Sequence, residues 1–150
     1  MAQDLQKRTC LVDANLRHPQ LHRLFGLTDG IGLSDVLSGQ TPLGEALLSI
    51  DEHNLSYLPA GNQAKNPAEL LGSPAMRRTL LTMRSAFDRI VIDAPAAGPL
   101  ADVGIVTPLV DSVVLVVRAG VTSKPQIIEA IGAIDTAKLL GLVLNATQEW

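Results

Sequence analysis

Short apolar runs, rich in β-branched residues, alternate along the chain with segments of helical periodicity. The runs are Thr9 to Val12, Arg89 to Ile92, Ser112 to Val117 and Gly141 to Leu144. Each is followed by a polar or turn residue, which is typical of buried parallel strands. A further strand is predicted from Asn54 to Leu58, closed by the turn Pro59-Ala60-Gly61.

Two longer segments carry apolar residues at helical spacing, Pro74 to Phe87 and Pro125 to Leu140. Ser123 is placed to cap the second helix, with Pro125 in its first turn. Shorter helices are predicted at Leu21 to Phe25, Leu33 to Leu37 and Leu43 to Leu48. Strands alternating with helices predict an α/β fold, a three-layer sandwich with a mainly parallel sheet and right-handed crossovers.

Length and charge restrict the class of protein. The chain has 150 residues, 47% of them hydrophobic, which is enough to bury the core of one domain over residues 1–150. A formal net charge of -3 and scattered Lys and Arg weigh against a nucleic-acid partner, which needs a basic stripe. Arg77, Arg78 and Arg84 are expected to form the solvated face of one helix.

Cysteine usage and hydropathy indicate a cytoplasmic protein. Cys10 is the only cysteine, so no disulfide can form within the chain. The first nine residues are polar, and no apolar stretch approaches the roughly 20 residues of a membrane span.

The residues that end the predicted strands are candidates for chemistry, because ligands of open parallel sheets bind beyond the carboxyl ends of the strands. These residues are Asp13, Asp93, Arg118 and Asn145. For any one of them, a residue that simply ends a strand or caps a turn is the better explanation. Three of the strands end in groups suited to a nucleotide or its metal ion, and only the set favours such a site.

The segment from Cys10 to Pro19 places Asp13 at a strand tip. A carboxylate there is suited to orient a hydroxyl nucleophile or to hold Mg²⁺ through water. This segment resembles the Walker A-prime motif of the bacterial tyrosine autokinases of capsule and exopolysaccharide assembly, an apolar strand followed by Asp-x-Asp-x-Arg-x-Pro. The similarity extends through Leu21 to Leu27 and Gly32 to Leu37.

One position departs from that motif. The second Asp of the family is Asn15 here, and an amide keeps the shape of the carboxylate without its charge. The resemblance implies that the first Asp is the base for the tyrosine hydroxyl and that the second supports Mg²⁺. The catalytic role and part of the metal site are therefore expected at Asp13.

The segment from Arg89 to Pro95 resembles a Walker B motif, whose carboxylate, here Asp93, holds Mg²⁺ through water. It is followed by Pro99 to Asp102 and Leu109 to Gly120, in the order and spacing of the same family. The family-like segments Pro59 to Gly61 and Asn66 to Leu71 are expected to have structural roles only, fixing a turn and a helix start.

The last predicted strand resembles the family strand whose terminal Asn, here Asn145, reaches the adenine base. An amide both donates to and accepts from a purine edge, although a cap at the strand exit explains this residue equally well. His18 and His22 lack a third ligand at metal-binding spacing and are expected at the surface or in an interface.

The chain contains no Gly-x-x-x-x-Gly-Lys-Ser/Thr segment, the loop whose amides and lysine hold nucleotide phosphates. The resemblance covers Arg8 to Asn145, so the first strand and the P-loop helix of the P-loop NTPase-like domain are expected to be missing. Tyr57, the only tyrosine, falls in a predicted strand, which leaves no autophosphorylation cluster. The resemblance implies ATP and Mg²⁺ as cofactors, and we expect ATP turnover near background for this chain alone.

Three hypotheses remain open at this stage. The first is a truncated or degenerate tyrosine autokinase that serves exopolysaccharide synthesis with a membrane chain-length regulator or an intact kinase subunit, through which it would reach the membrane. The second is an interaction module without nucleotide, with self-association expected at unpaired strand edges. The third is a MinD-like or ParA-like ATPase. The segments Leu16 to Pro19 and Asn66 to Leu71 favour the tyrosine autokinases over this alternative.

Overall fold

The computed structural model describes residues 7–28, 30–50, 54–96 and 102–146, without the side chain of residue 102. The chain forms two compact units, Met1–Pro95 and Ala96–Trp150. No helix in the described ranges is long and apolar enough to cross a membrane.

The first unit contains a four-stranded sheet of order β2-β3-β1-β4. Its strands are β1 (Thr9–Asp13), β2 (Leu48–Ser49), β3 (Leu55–Leu58) and β4 (Arg89–Asp93). Strand β1 pairs in parallel with β3 and β4, while β2 runs antiparallel to β3. The central β1 is buried from Thr9 to Asp13 apart from Leu11, which explains its continuous apolar run.

The helices of the first unit follow the strands. They are α1 (Leu21–Leu24), α2 (Leu33–Leu37), α3 (Leu43–Ala46), α4 (Pro67–Leu71) and α5 (Pro74–Ala86). Helix α5 begins where Ser73 Oγ accepts a hydrogen bond from the Met76 amide at 3.3 Å. Its inner face buries Met76, Leu80 and Met83 in the core.

The second unit contains a two-stranded parallel sheet. Its elements are α6 (Asp102–Val106), a 3-10 helix (Thr107–Leu109), β5 (Val113–Arg118), α7 (Lys124–Gly132) and β6 (Leu139–Asn145). Ser123 and Gln126 form a capping box at the start of α7, as the sequence predicted for Ser123. One exposed apolar set lies on the sheet, including Val114, Val116 and Val143.

A lysine organises the start of β5 in this unit. The Lys138 ammonium donates to the carbonyl oxygens of Thr107, Pro108 and Val110 at 3.1, 3.1 and 2.8 Å. These carbonyls end a helical segment, where a positive charge is favourable. The lysine therefore links the start of β6 to the residues that precede β5.

All five predicted strands are present, but the helix predicted from Pro125 to Leu140 was wrong in its second half. It ends at Gly132, and a turn follows in which Asp135 Oδ1 accepts from the Ala137 amide at 3.0 Å. Leu139 and Leu140 belong to β6 instead. Apolar residues at this boundary satisfy both patterns, and strand pairing with β5 decides between them.

Candidate functional site

The structure places Asp13 and Asp93 side by side. They are register partners at the carboxyl ends of the adjacent parallel strands β1 and β4. The Ala14 amide donates to the Asp93 carbonyl oxygen at 2.8 Å, which extends the pairing past the strand ends. Two acids that are 80 residues apart in sequence thus meet at the carboxyl ends of the strands, where ligands of such folds bind.

The Asp13 carboxylate is completely buried and held by backbone amides. Oδ1 accepts from the Asn15 amide at 3.1 Å, and Oδ2 accepts from the Leu21 amide, at the start of α1, at 3.4 Å. Burial raises the pKa of Asp13, although these amides and the nearby His22 oppose the rise. A carboxyl whose pKa is raised is better matched to proton transfer near neutral pH.

Asp93 differs from Asp13 in being exposed to solvent. Partial desolvation at the sheet edge raises the pKa of Asp93, and the negative charge of Asp13 raises it further. A divalent cation between the two groups would relieve this repulsion.

Residues of the loop after β1 fix the position of Asp13. Asn15 Oδ1 accepts from the His18 amide at 3.2 Å, so this side chain shapes the turn. His18 is exposed as predicted, but the prediction of a surface or interface position for His22 was wrong, since this side chain is buried. The sequence carries a signal for this, because His22 lies within an apolar helical segment beside Leu21 and Phe25.

A second buried acid, Asp35, which the sequence did not reveal, holds the loop after β3 beside the tip of β1. Its Oδ2 accepts from the amides of Gly32 and Asn62 at 2.9 and 3.1 Å, and its Oδ1 accepts from Asn62 Nδ2 at 2.8 Å. Burial disfavours ionisation, but these hydrogen bonds outweigh it and hold the pKa of Asp35 below its usual value. Asp35 is therefore a structural acid.

Close backbone packing completes this attachment of α2 to the loop. A Cβ on Gly32 would lie 2.3 Å from the Pro59 carbonyl oxygen, and Gly61 has a φ of +90°. The amides of Leu33 and Ser34 donate to the carbonyls of Pro59 and Ala60 at 2.7 and 2.9 Å. The family-like Pro59-Ala60-Gly61 segment thus has the structural role expected of it.

Asn145 and Arg118 lie in the second unit, as register partners at the carboxyl ends of β6 and β5. The Asn145 side chain is exposed, and its Oδ1 accepts from the amide of Ala146 at 2.8 Å. This bond caps the strand exit, the structural role that the sequence left open. The role at an adenine base stays a prediction.

The described residues suit Mg²⁺ better than they suit a triphosphate. Asp13 and Asp93 supply the hard carboxylate oxygens that Mg²⁺ prefers, with water or phosphate oxygens needed for the remaining positions. In the described ranges, no three His, Cys, Asp or Glu side chains converge on one point. Two acids alone repel phosphates, and the sequence has no glycine-rich lysine loop to offset that charge.

Comparison with known proteins gives several tyrosine kinases. No protein-family model matches the chain. It is 36% identical over 141 residues to tyrosine-protein kinase YwqD of Bacillus subtilis, an alignment that covers 93% of the chain and 60% of that kinase. It is 31% identical over 140 residues to the putative tyrosine-protein kinase CapB of Staphylococcus aureus, an alignment that covers 92% of the chain and 61% of that kinase. The chain thus spans about three fifths of these curated relatives.

A third relative has a different description. The chain is 33% identical over 146 residues to the succinoglycan biosynthesis transport protein ExoP of Rhizobium meliloti, covering 94% of the chain and 19% of that protein.

Solved structures agree with these relatives. The kinase domain of VpsO superposes with a TM-score of 0.89 at 32% identity, covering 98% of the chain and 73% of that domain. The cell division ATPase MinD of Pyrococcus furiosus superposes with a TM-score of 0.74 at 23% identity, covering 95% of the chain and 61% of MinD, a likeness of fold alone. The predicted α/β fold with a mainly parallel, P-loop NTPase-like sheet is confirmed.

Proposed function

Because this chain belongs to the family of bacterial tyrosine kinases, we propose that it is a degenerate autokinase of capsular or exopolysaccharide biosynthesis. It supplies the acids of a kinase site and has little or no kinase activity alone. The adjacency of Asp13 and Asp93 at two strand tips carries this proposal. The succinoglycan function named for ExoP supports the pathway.

In this proposal the two acids have separate roles. Asp13, buried and held by amides, accepts the proton of the substrate tyrosine hydroxyl. Asp93, exposed and repelled by Asp13, orients Mg²⁺ through water. When bound, Mg²⁺ would neutralise charge on the phosphates of ATP. Asn145 is proposed to contact the adenine base.

The weak activity proposed for the chain follows because two acids do not by themselves hold the phosphates of ATP. Phosphoryl transfer depends on positioning and charge stabilisation, which a cradle of amides and a lysine normally provides. A strand carrying such a loop would have to lie beside an acid-tipped strand. In the described part of the first unit, β1 is paired on both sides and β4 on one, so the outer edge of β4 can accept this strand.

We propose an intact kinase subunit or a membrane chain-length regulator as the partner, for a chain located in the cytoplasm. A titration with Mg-ATP, with binding measured by calorimetry, tests the proposal. The chain alone should bind Mg-ATP weakly. It should transfer no phosphate to an added kinase subunit that has itself been made catalytically inactive. Tight binding together with phosphorylation of that subunit would show that the chain is a competent kinase.

A second candidate function is an interaction module that uses no nucleotide. The open edge of β4 and the exposed Val114, Val116 and Val143 support it, because such edges and faces invite association. Light scattering separates the two candidates: a monomer that binds no partner would count against the module. A MinD-like ATPase is less supported, since the likeness to MinD extends to the fold alone.

A further inference from the structure

Basic residues lie on the outer side of α5 and at the amino ends of β1 and β4 in the first unit, and together we call them the basic surface. Its residues are Lys7, Arg8, Arg77, Arg78, Leu81, Arg84, Asp88 and Arg89. Half of the Lys and Arg residues in the chain belong to it, although they are scattered in the sequence.

Helix α5 contributes half of the residues of this basic surface. Met76, Leu80 and Met83 face the core, whereas Arg77, Arg78 and Arg84 are exposed, and Leu81 among them is 67% exposed. Residues 77, 81 and 84 follow the i, i+4, i+7 spacing that places side chains on one face of a helix. The helix contains no acidic residue in its 13 positions. It therefore presents a convex cationic face with an apolar side chain among the cations.

Two residues beyond the end of α5, the beginnings of β1 and β4 are joined to each other by backbone and charge contacts. The amides of Asp88 and Arg89 donate to the Arg8 carbonyl oxygen at 2.9 and 3.2 Å. Asp88, the acid of this surface, accepts from the Arg8 amide at 2.9 Å and lies 3.5 Å from Arg8 Nε. The basic surface carries a formal charge of +5, so the rest of a chain with net charge -3 carries -8.

We propose that this basic surface binds the anionic headgroups of a phospholipid bilayer. Clusters of four to eight basic residues bind anionic membranes through phosphate contacts, for which the planar guanidinium is well suited. The face is convex and has an exposed leucine, which suits a fluid apolar interface better than a peptide groove. The -8 charge elsewhere would repel a nucleic acid that wraps the molecule, but not a plane that touches one side.

The proposal concerns direct membrane contact and does not depend on the kinase function. It does have a geometric consequence for that function. Arg8 and Arg89 lie at the beginnings of β1 and β4, and Asp13 and Asp93 lie at the ends of the same strands. At the usual rise per residue, the two ends of each strand are about 15 Å apart. The part of the basic surface formed by Arg8 and Arg89 is therefore remote from these acids.

Vesicle sedimentation with the full chain tests the proposal. It should bind vesicles of phosphatidylglycerol and phosphatidylcholine at low salt, release at high salt, and leave pure phosphatidylcholine unbound. R77Q/R78Q should partition about 30-fold more weakly, since two cations are lost. R77K/R78K should retain most binding, and L81A should weaken it without changing the salt dependence.

The matched control is K124Q, which removes an exposed cation from α7 and should bind as the unaltered chain does. Equal thermal midpoints of all variants would show that they are folded. Three results would each overturn the proposal: no binding to anionic vesicles, equal loss in K124Q and R77Q/R78Q, or binding to an acidic peptide or oligonucleotide in preference to the vesicles.

Discussion

Asp13 and Asp93 occupy opposing register positions on β1 and β4, and the charge of the buried Asp13 raises the pKa of its exposed neighbour. Adjacent strands lie about 4.8 Å apart, so two ionised carboxylates at such positions repel each other unless a proton or a cation lies between them. A cation bound between the two carboxylates would relieve this repulsion.

Asp93→Asn should stabilise the fold at neutral pH without divalent ions, by under about 1 kcal/mol because solvent screens this exposed group. The folded pKa is raised, so the cost of ionising Asp93 appears as pH rises from 3.8 through the folded pKa and is absent at lower pH. Urea unfolding with and without Mg²⁺ measures the effect. Mg²⁺ should stabilise the unaltered chain more than the variant.

The control for this experiment is Asp135→Asn, which removes one charge in the second unit and keeps the oxygen that accepts from Ala137. It should leave the Mg²⁺ response unchanged. If Asp93→Asn responded to Mg²⁺ as strongly as the unaltered chain, Asp93 would not be a metal ligand.

Asp35→Ala should destabilise the chain by about 3 kcal/mol at neutral pH, because buried amide donors lose a charged acceptor. Asn62→Ala removes one of these bonds and should cost about 1 kcal/mol. The folded pKa of Asp35 is lowered, so its contribution is complete above 3.8 and is lost as pH falls through the folded pKa. Denaturant unfolding across acidic pH measures both; a constant difference between the unaltered chain and Asp35→Ala down to strong acid would contradict this.

Gly32→Ala should destabilise the chain by about 2 to 3 kcal/mol, since the new methyl group would overlap the Pro59 carbonyl and the Gly61 amide. Gly44→Ala is the matched control, because a Cβ there meets open space within α3 and should stabilise by up to about 1 kcal/mol. Thermal unfolding of both variants measures the contrast. Equal midpoints would mean that the loop after β3 moves away at little cost.

Lys138→Met should destabilise the second unit by about 2 kcal/mol, because three carbonyl oxygens lose a charged donor while the aliphatic part of the side chain is kept. Lys124→Met removes an exposed ammonium on α7 and should change stability little. Amide hydrogen exchange of β5 reports the effect locally. Unchanged protection in Lys138→Met would show that water replaces the ammonium there.

Local patterns predicted most of the secondary structure correctly. Helix α2 was predicted with its observed bounds, Leu33–Leu37, and the capping box of α7 begins at the predicted Ser123. The two-residue strand β2 was missed because antiparallel pairing with β3, and no periodicity of its own, makes Leu48–Ser49 a strand.

The sequence by itself determined that acids end two buried strands, because a β-branched run followed by Asp is a pattern that spans only a few residues. Only the tertiary structure decided that Asp13 and Asp93 are neighbours, that Asn62 bonds Asp35 across 27 positions, and that His22 is buried. Strand order, register and burial depend on contacts between distant segments, and a local pattern contains no information about which distant segment will supply them.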